Sequence, residues 1–130
     1  MTKIFDGKKF AQNKEALLAK KVVDFKSKTG ISPKLVSMIV GDNPASHLYL
    51  KYKQQSALRT GIAFEKVEFP ESAKLDDLIA FIGEKNLDNK IHGIMVQLPL
   101  PARYQIRYTR YPSASLRASG LRVLNAINPE

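Results

Sequence analysis

Three short apolar runs, "KLVSMIVG", "IAFEKVEFP" and "HGIMVQL", alternate with stretches whose apolar residues recur at helical spacing, and this alternation constrains the chain more than any other feature. From about Gly7 to Thr29 the positions Phe10, Leu17, Leu18, Val22, Val23 and Phe25 keep a helical period, and "KTG" supplies a glycine stop. "DNPASHLYLKYKQQSALRTG" opens on Asp42 or Asn43 as N-cap, puts Pro44 in the first turn and ends at Gly61. "KLDDLIAFIGEKNLDN" repeats the helical pattern through Leu75, Leu78, Ile79, Ile82 and Leu87. Of the runs between, the first is short, apolar and β-branched, and the second alternates apolar with charged residues before closing at Pro70. The order helix, strand, helix, strand, helix, strand predicts an α/β fold: a parallel sheet covered by helices on both faces and built from right-handed βαβ units.

In such sheets ligands sit at the carboxyl ends of the strands, where the loops diverge. That rule brings two stretches to one rim. One is the loop after Val40 with the first turn of the helix it feeds; the other is the end of the third strand, where "GIMV" gives way to Gln97 and then to "LPLP". A buried strand thus delivers a polar amide to the rim. On the helix opposite, "SHLYLKYK" places Ser46, Tyr49 and Lys53 within roughly 60° of one another at about 100° per residue. A lysine between apolar walls and an aromatic ring exchanges protons more readily near neutral pH, because desolvation disfavours its charged form. The same spacing also describes a packed ring beside a solvated amine, and periodicity does not choose between them.

Composition narrows the function classes. A chain of 130 residues that is 44% hydrophobic supports one domain with a real core. It has no cysteine, which excludes disulfides and thiolate metal sites, and its two histidines, His47 and His92, have no partner at metal-ligand spacing. No stretch has the length of a signal peptide or a bilayer span, so the expectation is a soluble, cytoplasmic protein with no membrane partner. The net charge of +9 raises nucleic acid as a partner. Its distribution disfavours that: up to Pro101 the basic residues are lysines, apart from Arg59, interspersed with acids as on solvated faces. Beyond Pro101 the pattern inverts, with Arg103, Arg107, Arg110, Arg117 and Arg122, no lysine, and no acid between Asp88 and Glu130.

"VGDNPASHLYLKYK" and "GIMVQLPLP" together resemble the amino-terminal domain of the bifunctional methylenetetrahydrofolate dehydrogenase and methenyltetrahydrofolate cyclohydrolase family. The family's first motif, Val-Gly, a short loop, Ser, two residues, Tyr, three residues and Lys, lands on Val40, Gly41, Ser46, Tyr49 and Lys53. Its second, G-I-x-V-Q-L-P-L-P, lands on Gly93 to Pro101. "IFDGKKFA" and the "TGI" at Gly61 extend the likeness over nearly all of residues 1–101.

The resemblance implies a folate-binding α/β domain over residues 1–101 and a tetrahydrofolate derivative as substrate, lying in a cleft against a second, NADP-binding domain. It implies oxidation of 5,10-methylene-tetrahydrofolate to the methenyl form, then hydrolysis to 10-formyl-tetrahydrofolate. Lys53 would handle the proton of the cyclohydrolase step, Gln97 would bond to and position Lys53, and Tyr49 would stack on the aminobenzoyl group. Pro99, Leu100 and Pro101 would wall the site, and Ser46 would serve the helix start or the site's edge. The family is homodimeric and uses NADP; no G-x-G-x-x-G turn occurs in these residues, so no cofactor is expected to bind this chain alone. Hydride transfer by the chain alone is accordingly not expected.

Residues 102–122 depart from the family pattern, and family-like sequence returns in "VLNAINPE" at residues 123–130, read as the start of the linker to a missing domain. The arginine-rich segment admits three readings: a basic stretch with interleaved tyrosines that contacts RNA, a flexible surface loop, or an altered reading frame or misjoined exon. The switch from lysine to arginine and the return at Val123 favour the third. Two function classes follow: a folate enzyme's catalytic half, or a non-catalytic chain, whether truncated or a basic binding module.

Overall fold

Asn43, rather than Asp42, starts the second helix: its Oδ1 accepts the backbone N–H of Ser46 at 3.1 Å, with Pro44 as the first helical residue. In the computed structural model, which describes residues 4–104, the elements are α1 (Gly7–Thr29), β1 (Lys34–Val40), α2 (Pro44–Thr60), β2 (Ala63–Phe69), α3 (Leu75–Leu87), β3 (Gly93–Val96) and a 3-10 turn (Ala102–Tyr104). Asp6 caps α1 in the same manner as Asn43 caps α2, accepting from the Lys9 N–H at 2.9 Å. No side chain caps α3; Asp76 and Asp77 in its first turn complement the positive end of the helix dipole instead.

The three strands form one parallel sheet in the order β2-β1-β3. β1 lies in the centre, which is why "KLVSMIV" is buried from Val36 to Val40 while the edge strand β2 alternates. The crossover through α2 runs outward from β1 to β2, and the one through α3 runs back across β1 to β3. Right-handed connections in opposite directions put the two helices on opposite faces. Met38 and Val40 of β1 share a core with Leu78 and Ile82 of α3, joined by Ile94 and Val96 of β3. Side chains alternate along a strand, so Ser37, Ile39 and Met95 face the other way, toward α2. Gln97 is the next residue on that face. β3 ends at Val96, earlier than the run "HGIMVQL" suggests, yet the Gln97 N–H still bonds to Met38 O at 2.8 Å.

α1 packs against α2 rather than on the sheet. Of the apolar positions whose spacing predicts this helix, only Val22 is buried, and Phe10, Leu17, Leu18, Val23 and Phe25 stay exposed. A polar clasp ties the two helices. Glu15 accepts from Arg59 Nε at 2.7 Å, from Arg59 Nη2 at 2.9 Å and from Ser56 Oγ at 2.5 Å. The Arg59 guanidinium and the Ser56 hydroxyl hold the Glu15 carboxyl down at about 2.

The first residues of the arginine-rich segment sit on this body. Tyr104 is buried in the α3 core, and its hydroxyl and the Arg103 guanidinium both donate to the carbonyl of Ala73. The rest of that segment, 105–122, and residues 123–130 lie outside the described residues.

Candidate functional site

Gly41 ends β1 with φ at 79°, and its N–H donates to Phe69 O at 2.9 Å. A Cβ there would meet Pro101 Cγ at 3.5 Å, an ordinary contact, so the left-handed backbone rather than lack of space is what calls for glycine. The turn then feeds α2. Ser46, in its first turn, is 1% exposed and donates its hydroxyl to Leu98 O at 3.2 Å. About two turns further along, Lys53 Nζ donates to Gln97 Oε1 at 2.7 Å, and Gln97 Nε2 donates to Leu98 O, also at 2.7 Å.

These contacts admit one orientation of the amide. An ammonium offers only donors and a backbone carbonyl only an acceptor, so the oxygen of Gln97 must face Lys53 and its nitrogen must face Leu98. Gln97 itself is 7% exposed, so both amide bonds lie at the edge of the buried interior. The result is one connected path: Lys53 to Gln97, Gln97 to the Leu98 carbonyl, and Ser46 to that same carbonyl.

Tyr49 and Lys53 are exposed, the tyrosine to 57%, because their stripe of α2 lies beyond the buried positions Leu50 and Ala57 that face the sheet. The apolar walls that the spacing suggests for Lys53 are therefore not supplied by the described residues. The loop after Gln97 has a cis Leu98–Pro99 bond; Pro99 is exposed, Pro101 half-buried, and Leu100 is buried in the α3 core. Pro99, Leu100 and Pro101 line a cavity of about 250 Å3 together with Gly41, Asp42, Asn43 and Glu71. Tyr49, Lys53 and Gln97 do not line it. The structure thus gathers Ser46, Lys53 and Gln97 by direct bonds, and sets the proline loop beside them around a cavity of its own.

A larger groove of about 620 Å3 runs between α1 and α2, lined by Lys8, Ala11, Gln12, Glu15, Ala19 and Arg59 among others. Its carboxylate is already engaged by Arg59 and Ser56, and it contains none of the residues the sequence singles out. His47 Nδ1 lies 3.8 Å from a Glu68 oxygen, and His92 Nδ1 accepts the Lys34 N–H at the opposite end of the sheet. Among the described residues no group of three His, Cys, Asp or Glu side chains could hold a metal ion. No helix among them is long and apolar enough to cross a membrane. The element that sequence reasoning missed is the Leu98 carbonyl. As a backbone atom it leaves no mark in residue type, and only the pairing of Gln97 with a buried Ser46 on the facing helix hints at a shared acceptor.

Residues 5–113 match the family described as the tetrahydrofolate dehydrogenase/cyclohydrolase catalytic domain, and the chain belongs to that family. It is 50% identical over 101 residues to the bifunctional protein FolD of Streptococcus uberis, an alignment that covers 78% of this chain and 36% of that protein. The chain therefore spans little more than a third of the length of this curated relative. Among solved structures, a 5,10-methylenetetrahydrofolate dehydrogenase from the silkworm Bombyx mori superposes with a TM-score of 0.84 at 31% identity, over 99% of this chain and 40% of that one. The methylenetetrahydrofolate dehydrogenase-cyclohydrolase of Trypanosoma brucei, solved with NADP and an inhibitor, shares the fold with a TM-score of 0.82 at 24% identity, over 98% of this chain and 39% of that one.

Proposed function

We propose that this chain is the folate-binding, proton-handling part of a methylenetetrahydrofolate dehydrogenase/methenyltetrahydrofolate cyclohydrolase, and that the chemistry its own residues support is the hydrolytic step. The observation that carries this reading is the 2.7 Å bond between Lys53 and a Gln97 amide whose orientation is dictated by its partners. In that hydrolysis a water oxygen bonds to the methenyl carbon of 5,10-methenyl-tetrahydrofolate and gives up its protons. The bond from that carbon to N5 breaks with its electron pair passing to N5, which takes up one proton while the other goes to solvent, and 10-formyl-tetrahydrofolate leaves. Lys53, an ammonium in its contact with Gln97, gives a proton to N5 as the carbon–N5 bond breaks and regains one from the water-derived hydroxyl, and Gln97 holds its nitrogen in one direction. Tyr49 offers an exposed ring face for the aminobenzoyl group. Ser46 bounds the site, and the Pro99–Pro101 loop walls the adjoining cavity.

The described residues do not fit NADP. A dinucleotide needs a glycine-rich strand-to-helix turn whose backbone approaches the pyrophosphate. The turn from β1 to α2 has one glycine followed by Asp42, an acid that would repel phosphate, and the connection from β2 to α3 carries Glu71 and no glycine. No hydride step is assigned to these residues, and the nicotinamide of the family's dehydrogenase reaction is proposed to be held by the portion of its relatives that this chain does not span. The reading is tested by titrating 5,10-methenyl-tetrahydrofolate into the chain and into Tyr49→Ala. The expected result is a loss of about threefold to tenfold in affinity, the worth of one aromatic stack, with unchanged thermal stability because the ring is exposed. Equal affinities would remove Tyr49 from the site.

A further inference from the structure

We propose that Ser46 is a positioning residue for the Lys53–Gln97 pair, acting through the carbonyl oxygen of Leu98; the proposal rests on the functional reading above. A serine in the first turn of a helix ordinarily spends its hydroxyl on the helix's own free N–H groups. Here that duty is already filled, since Asn43 Oδ1 accepts the Ser46 N–H, and the Ser46 hydroxyl is released to reach a residue 52 positions away in the chain. It meets a carbonyl that also receives Gln97 Nε2, so both lone pairs of Leu98 O are used, by one donor from α2 and one from the residue that follows β3.

The consequence is mechanical. Gln97 Oε1 points at Lys53 only while Gln97 Nε2 is anchored, and its anchor is the same oxygen that Ser46 ties to the start of α2. Because Ser46 is 1% exposed, no water replaces its hydroxyl without rearrangement. α2 carries both Ser46 and Lys53, so one helix holds the lysine and, through the loop, the direction of the amide that receives it.

The test is nuclear magnetic resonance of the 15N-labelled full chain, following exchange of the Gln97 side-chain amide protons. Three variants are compared with the unaltered protein: Ser46→Ala, Ser46→Cys, which keeps the volume but donates weakly, and Ser46→Thr, which keeps the hydroxyl. The expected result is exchange about tenfold faster in Ser46→Ala and Ser46→Cys, corresponding to one lost hydrogen bond, recovery in Ser46→Thr, and unchanged protection of the α2 backbone amides in all. Unchanged Gln97 exchange in Ser46→Ala overturns the proposal. So does a parallel loss of protection along α2, which would make Ser46 only a support of the helix start. The same samples are assayed for hydrolysis of 5,10-methenyl-tetrahydrofolate. An inactive unaltered chain whose Gln97 amide still responds to Ser46→Ala would sink the catalytic reading and leave the positioning role standing.

Discussion

Lys53 Nζ donates to Gln97 Oε1 across 44 positions of sequence, joining the outer stripe of α2 to the mouth of β3. The bond exists because the pleat of β3 turns every second side chain toward α2, and the polar residue falls on that beat. Gln97→Leu removes both amide bonds and leaves the Leu98 carbonyl with one donor fewer near the interior. The expected cost is about 1–2 kcal/mol, read as a lower urea midpoint with an unchanged slope. A midpoint equal to that of the unaltered chain would mean that the amide contributes nothing to the packing of this rim.

Glu15 gives the chain a defined sensitivity to acid. Its carboxyl is held at about 2 instead of 4.5, by the Arg59 guanidinium first and the Ser56 hydroxyl second. A carboxylate whose folded pKa is depressed contributes stability that is fully present above the unfolded value and is lost as pH falls through the folded one. The contribution of Glu15 should therefore fade from about pH 4.5 down to about pH 2. Melting temperatures of the chain and of Glu15→Gln, compared over that range, should converge as pH falls. Glu65 and Glu68, also depressed by lysine partners, occur in both proteins and cancel in the difference. A gap that stays constant with pH would contradict the clasp.

The start of α2 separates two adjacent residues that the sequence offers as equivalent caps. Asn43→Ala should cost about 1 kcal/mol by freeing the Ser46 N–H, which for a domain of this size lowers the melting temperature by about 4–8 °C. Asp42→Ala should change stability by less than about 0.5 kcal/mol, as exposed substitutions away from such features do. Calorimetry of the two variants decides the matter, and equal effects would place the helix start wrongly.

Much of the fold is legible in the sequence because its punctuation is strong. Gly30 and Gly61 stop two helices, Pro44 opens one, and the central strand is a continuous apolar run. The parallel sheet follows from the alternation, and the placement of Gln97 at the rim follows from the sheet. What spacing does not convey is burial. The apolar positions of α1 form a helical pattern, yet most are exposed, since this helix rests on α2 and not on the sheet. For the site, residue type and spacing point to Ser46, Tyr49, Lys53 and Gln97, and the resemblance adds the proline loop. The acceptor that links Ser46 to Gln97 is backbone and leaves no trace in residue type. Leu100 illustrates the remaining gap: the motif places it at the site's wall, and the fold also uses it as core beside α3.

The most direct measurement is the rate at which the purified chain hydrolyses 5,10-methenyl-tetrahydrofolate, followed by loss of its near-ultraviolet absorbance, beside Lys53→Met. Lys53 is exposed and its side chain is bonded to Gln97 alone among the contacts described above, so the variant should fold as the unaltered chain does. Turnover above the buffer rate that falls at least about a hundredfold without the Lys53 amine is the expected result. Equal rates for the two folded proteins would contradict it.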